Sequence, residues 1–206
     1  YLIMIQPEDY VYVGGNFITQ SYNNYANEFA AGTLEVKSDF IQKVGYHGNN
    51  FAGRDTHKVV LSGTQLQIVS FDSPESSYFA SLDITNSGGG VKFTSPLNAT
   101  TLTTSGFHQL VPPVTLRVRD WKLTADETIA GDLYLEGAVL NLNGKQLTVE
   151  GNLIHSGGEL KVNGGRLIVK GDYRLQTPDG AGGYGVSQGY LIMIQPEDYV
   201  YVGGNF

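Results

Sequence analysis

From Leu133 to Val169 the apolar residues come in short alternating pieces, each broken by glycine. Aligned on those glycines, the chain reads GDLYLEGAVLNLNGKQLTVE, then GNLIHSGGELKVNGGRLIVK, then GDYRLQ. Gly131, Gly151 and Gly171 are thus 20 residues apart, and each interval holds three apolar pieces, such as Leu153-Ile154, Leu160–Val162 and Leu167–Val169. Period-two alternation with Gly-containing bends predicts short strands. Three such strands at a constant interval predict a β-solenoid, because one coil cannot bury its inward side chains until another stacks on it. Leu133, Leu153 and Tyr173 should then form one inward column, and Leu147 with Leu167 another. Asp132, Asn152 and Asp172 should share a corner, where short side chains that hydrogen-bond their local backbone are favoured.

The earlier chain repeats the device with longer coils. Asn16-Phe17-Ile18 and Asp39-Phe40-Ile41 lie 23 apart behind the strand-like Tyr10–Val13 and Leu34–Val36, and Phe51 follows Phe29 by 22. Thr33-Leu34-Glu35-Val36 resembles Thr56-His57-Lys58-Val59. Further rungs are expected at Val59–Leu61, Gln67–Phe71, Leu82–Thr85, Val91–Thr94 and Thr115–Asp120, the last after a bend at Pro112-Pro113. Gln20–Glu28, Tyr46–Asn50 and Thr177–Gly189 read as loops. No stripe of helical period is present. The expected fold is all-β, a parallel β-helix of roughly 20–25-residue coils with three short strands each. Its right hand is taken from precedent. About nine coils would span about 40 Å along the axis.

One stretch occurs twice. Tyr1–Phe17, YLIMIQPEDYVYVGGNF, recurs unchanged as Tyr190–Phe206. Residues 1–189 therefore read as one solenoid repeat unit, and 190–206 as the start of the next identical unit. The plain alternative is a scar of permutation. A solenoid end leaves strand edges unpaired unless a cap covers them, and no stretch here reads as a cap. The chain looks built to propagate.

Composition narrows the reading further. Net charge is −7; the second copy carries Glu197 and Asp198 and no basic residue, which leaves −5 for one unit. A mildly acidic surface argues against nucleic acid, which needs clustered Lys and Arg. Only 16% of residues are charged. There is no cysteine, so disulfides and thiolate zinc sites are excluded, which suits export. The longest apolar run, Tyr1–Ile5, is far too short for a membrane span.

The stretches GKQLTVEGNLIHSGGELKVNGGRLIVKGDYRLQ, GTLEVKSDFIQK and THKVVLSG…VSFDSPESSYFASLDITNS resemble tandem-repeat proteins of anaerobic Firmicutes-like bacteria, thought to be secreted or displayed on the surface. The resemblance covers nearly the whole unit and implies an extracellular β-solenoid rod. It transfers no catalytic residues and no cofactor.

Candidate chemistry is sparse. A polysaccharide-processing enzyme needs converging carboxylates, or a carboxylate beside a base. The best local candidate is Arg54-Asp55-Thr56-His57-Lys58, with His57 as base and Asp55 on the same strand face; the plainer reading is a polar corner leading into Val59–Leu61. Asp120 beside Trp121 could present a sugar platform, though a lone Trp near such a bend is more often core. Glu8-Asp9, repeated as Glu197-Asp198, sets a carboxylate pair in each unit, but Ca²⁺ wants more oxygen ligands than that. Solvated turns are the simpler reading. His47, His108 and His155 show no metal-ligand spacing and read as surface or loop residues. Gly88–Gly90 and Gly180–Gly185 read as bends, since no helix follows to hold a phosphate. No catalytic, cofactor or metal residue is therefore assigned. Each unit holds ten tyrosines; Tyr10 and Tyr12 share a strand face, as do Tyr22 and Asn24 if extended, and such side chains suit contact surfaces.

Two functions follow as expectations. The first is a structural repeat unit of an extracellular or cell-surface filament or stalk, with copies of itself end to end as partner, joined covalently or by assembly. The second is a repetitive adhesin whose loops bind glycans or a host surface. An enzyme is not expected.

Overall fold

A computed structural model describes residues 2–22, 27–104 and 110–206. The described residues contain strands and no helix, and the parallel strands stack in about eight turns as a β-solenoid. That is fewer than the roughly nine coils expected. Residues 176–186 leave the coil to make a hairpin, and the coils of the first half are longer than 20 residues. The chain divides into two compact units, Tyr1–Thr103 and Thr104–Phe206.

The first unit carries β1 (Tyr10–Val13), β2 (Phe17–Thr19), β3 (Thr33–Val36), β4 (Phe40–Gln42), β5 (Lys58–Leu61), β6 (Gln67–Phe71), β7 (Phe79–Ile84), β8 (Val91–Phe93) and β9 (Leu97–Thr104). Odd-numbered strands stack in the order β1-β3-β5-β7-β9, and even-numbered ones in the order β2-β4-β6-β8. Val11 pairs with Leu34 and Phe17 with Phe40, as the spacing of 23 predicts. A third side is marked by the single bridges Met4–Phe29 and Ala52–Tyr78. One expected register is corrected: Thr33 pairs with Lys58 and Leu34 with Val59, not Thr33 with Thr56. A two-residue slip leaves every side chain on its original face, so alternation cannot detect it. Rings fill this core. Phe51 lies 4.8 Å from Phe29 and from Phe40, and Phe79 is 5.1 Å from Phe40 and from Phe71.

The second unit holds β10 (Leu110–Val111), β11 (Val114–Lys122), β12 (Glu127–Ile129), β13 (Leu133–Asn141), β14 (Gln146–Val149), β15 (Leu153–Lys161), β16 (Arg166–Val169), β17 (Tyr173–Arg174), β18 (Gln176–Pro178), β19 (Tyr184–Val186), β20 (Gln188–Ile192) and β21 (Tyr199–Val202). One sheet runs β11-β13-β15-β17, with β20 also on β15, and another runs β12-β14-β16-β21. The three apolar pieces of each coil are present here, two of them joined end to end. In β11, β13 and β15 two of the three apolar pieces fuse into one nine-residue strand. A bulge near Glu136 turns the chain between them. Gly158 sits at that bend with φ of 86°, and a Cβ there would lie 2.0 Å from the Ala138 carbonyl oxygen. Only glycine fits. The expected columns form: Leu133, Leu153 and Tyr173 pair in register, as do Leu147 and Leu167, all buried. Thr177–Gly189, expected as a loop, contains the antiparallel β18–β19 hairpin and the start of β20.

Candidate functional site

The two copies of the seventeen-residue stretch are where sequence and structure concentrate. Each folds as the same layer: a turn closed by an aspartate, a four-residue strand, then Gly-Gly-Asn. In the first copy Asp9 Oδ2 accepts from the Ile5 and Gln6 amides at 2.8 and 2.9 Å. In the second, Asp198 Oδ2 accepts from Ile194 and Gln195 at 2.8 and 3.0 Å. These backbone donors, led by Gln195, hold the Asp198 carboxyl below its ordinary range. The aspartate of the repeated acidic pair is therefore a turn device.

The second copy ends on a corner ladder that runs through the second unit. The Asn152 amide donates to Asp132 Oδ1 at 2.6 Å, Asp172 to Asn152 Oδ1 at 2.9 Å, and Asn205 to Asp172 Oδ1 at 2.8 Å. Asn152, Asp172 and Asn205 each follow a glycine because the side-chain oxygen of the coil beneath occupies the space a Cβ would need. That oxygen would be 2.3 Å from a Cβ on Gly151, 2.5 Å on Gly171 and 2.4 Å on Gly204. The first unit repeats the corner bond twice, with the Asp39 amide donating to Asn16 Oδ1 at 3.1 Å and the Ile68 amide to Asp39 Oδ1 at 2.8 Å.

Around this layer apolar side chains are exposed: Ile3, Ile5, Tyr10 and Tyr12 in the first copy, and Tyr190, Met193, Ile194, Tyr199, Tyr201 and Phe206 in the second. Met4 and Met193 hold the same repeat position. Met4, bridged to Phe29, is 0% exposed; Met193 is 46% exposed. Tyr10 donates its hydroxyl to Glu35, which also accepts from Ser62 and pairs with Lys37 at 3.1 Å. The Ser62, Tyr10 and Lys37 contacts lower the Glu35 carboxyl to about 2.

The candidate catalytic pair does not converge. Asp55 is exposed on a turn with φ of 48°, whereas His57 is fully buried between Phe29 and Phe51, at 5.2 and 5.9 Å between ring centroids. Neither His57 nitrogen has a hydrogen-bond partner among the described residues, and burial lowers its pKa to about 4. The polar-corner reading is thus corrected for His57, which is core. His155 is likewise corrected. It is buried in β15, with Nδ1 3.0 Å from the Tyr173 hydroxyl, and burial lowers its pKa. His47 is exposed; His108 lies outside the described residues, as do Asn24 and part of Gln20–Glu28. Trp121 is fully buried beside an exposed Asp120, which removes it as a sugar platform. Among the described residues no group of three or more His, Cys, Asp or Glu side chains is placed to hold a metal ion, and no helix is long and apolar enough to cross a membrane.

Sequence reasoning missed a set of buried amides in the first unit. Gln67 donates to the Val36 and Ser38 carbonyls at 3.1 and 2.6 Å and accepts from Gly63 and Asn86 at 2.8 and 3.0 Å. Gln42 donates to Asn50 Oδ1 at 3.0 Å and accepts from the Ser73 amide. Period two places Gln67 on the face of Val69 and Gln42 on that of Phe40, so the inward position was visible. Their partners were not.

The second unit also has an open groove of about 640 Å³ beside the hairpin, lined by Glu136, Ser156, Gly157, Thr177, Pro178 and Gln188 among others. Near its neighbour cavity the Arg174 guanidinium lies 4.9 Å from the Tyr184 ring. No protein-family model, no curated protein and no solved structure matches this chain.

Proposed function

We propose that the chain is a structural repeat unit of an extracellular filament or surface stalk. The observation that carries this reading is the second copy of the repeated layer. It packs on the second unit as one more solenoid turn and turns Met193 and Phe206 outward, where a further turn would cover them. The work of such a unit is mechanical. Backbone hydrogen bonds repeated turn after turn and buried apolar columns resist both unfolding and proteolysis. The absence of cysteine, the weakly charged surface and the resemblance to displayed tandem-repeat proteins support an extracellular place. Immunogold labelling of intact source cells with antibody to the hairpin around Tyr184 tests it. Labelled filaments outside the envelope are expected; labelling only after permeabilisation counts against the reading.

A second reading is a repetitive adhesin that binds glycans, favoured by the polar groove beside the hairpin and the exposed Tyr184. It predicts saturable sugar binding that is lost in Tyr184→Ala.

A further inference from the structure

The two copies of the layer are seen in different surroundings. The first has a turn above it and none below; the second has a turn below and none above. The bonds each makes to its neighbouring turn can therefore be compared position by position. Looking upward, the first copy uses the Met4 amide and carbonyl, the Asp9 and Val13 carbonyls, Asn16 Oδ1 and the Phe17 amide. Looking downward, the second uses the Ile192 carbonyl, the Tyr199, Gly203 and Gly204 amides, the Asn205 amide, carbonyl and side-chain Nδ2, Asp198 Oδ1 and Gln195 Nε2. Numbered on the first copy, the second set falls on residues 3, 6, 9, 10, 14, 15 and 16. Among these bonds, which lie outside the paired strands, no atom is used twice. Even the shared residues divide: at the asparagine the amides face down and the side-chain oxygen faces up. At Tyr10 the hydroxyl goes to Glu35 above, while at Tyr199 the ring meets the Arg166 guanidinium below at 4.2 Å.

Close approach says the same. A Cβ on Gly203 would lie 2.4 Å from the Lys170 carbonyl oxygen, and one on Gly204 would be 2.4 Å from Asp172 Oδ1. At the equivalent Gly14 the nearest atom is the Tyr12 ring at 3.5 Å, and Gly15 has open space. Neither of these two glycines has a positive φ. Nothing in the first unit requires glycine there; a turn lying beneath, as under the second copy, does. Burial is also incomplete. The strand valines Val11, Val13, Val200 and Val202 are each only partly buried, whereas Leu34 and Val36, covered on both sides, are fully buried.

We propose that Tyr1–Phe17 and Tyr190–Phe206 are one structural layer, shared covalently by successive units. The partner is a second copy of this unit whose residue 18 follows Phe206 directly. Its β3 and β4 equivalents stack on the layer in the register of the first copy, Tyr199 on Thr33, Tyr201 on Glu35 and Phe206 on Phe40. The inference rests on the structural-unit reading and adds the joint and its register to it.

The test is a chain in which residues 18–206 follow directly after Phe206, compared with the 206-residue chain. Amide exchange at the central Met193 and Phe206 should slow by about tenfold or more, to the rates of Met4 and Phe17. Unchanged rates overturn the proposal. Tyr201→Cys at the joint with Glu35→Cys in the following unit should oxidise to a disulfide, since adjacent strands lie about 4.8 Å apart, within disulfide reach. The off-register pair Tyr201→Cys with Lys37→Cys should not. Equal cross-linking of both pairs overturns the register. Should the cysteine variants fail to fold, exchange in the unaltered chain decides. Native filaments with an unprotected joint would sink this proposal and leave the structural reading standing; a protected joint in material that makes no filament would do the reverse.

Discussion

The two units solve one packing problem by different means. In the first, a cluster of phenylalanine rings and knots of satisfied amides at Gln42, Gln67, Asn50 and Asn86 fill coils of uneven length. In the second, leucine columns fill coils held to a 20-residue interval by Gly-Asp or Gly-Asn at one corner. Regularity thus comes from the corner more than from the core. A side-chain oxygen that bonds the next coil's amide, with a glycine above it, fixes where every coil must turn. Where the upper coil brings no glycine to that corner, with Ser38 before Asp39 and Gln67 before Ile68, the same amide bonds form but coil length drifts, and large rings and long amides take up the slack.

The contrast can be broken at several points. Phe51→Ala should cost about 4 kcal/mol and Leu153→Ala about 3 kcal/mol, both read by denaturant unfolding. Phe51 should lead because four phenylalanine rings lie within 6 Å of it. If Leu153→Ala proved the costlier, the ring cluster would not be the mainstay of the first unit.

Acid should weaken the first unit through His57. Its folded pKa of about 4 is below the ordinary 6.5, so between those values the unfolded chain binds the proton that the folded chain refuses. Stability is full above pH 6.5 and falls toward pH 4 by about 3 kcal/mol. Glu35 adds a loss only as pH drops through the ordinary carboxylate range toward its folded value of about 2. Thermal melts at stepped pH check this, with His57→Leu expected to flatten the upper part of the curve.

Glycines sharpen the comparison of corners. Gly171→Ala should cost about 2 kcal/mol, because a Cβ there meets Asn152 Oδ1 and the Gly151 backbone at 2.5 to 2.9 Å. Gly15→Ala, which opens onto free space, should be close to neutral in the 206-residue chain. An effect between these two is expected at the ladder itself. Asn152→Ala removes one hydrogen bond and should cost about 1 kcal/mol.

The second unit was legible from its residues because one interval carried everything. Glycine spacing placed the corners, and alternation placed Leu133, Leu153 and Tyr173 in one column. The first unit was legible in kind and only partly in register. Phe17 over Phe40 followed from a shared motif, whereas Thr33 was matched to Thr56 by composition and pairs with Lys58. His57 and His155 were misjudged for one reason: a lone histidine carries no sign of burial, and both occupy inward strand or bend positions that a leucine could have held. The repeated layer was obvious as a repetition, but its two faces were not, since which atom bonds upward is a property of stacking.

The central claim is that the unit continues into its own copy without a break. Cryo-electron microscopy of the native material tests it most directly. A continuous solenoid filament with an axial period of about 40 Å, and a single seventeen-residue layer at each joint, is the predicted result. Discrete short particles, or filaments with two such layers or none at the joint, would contradict it.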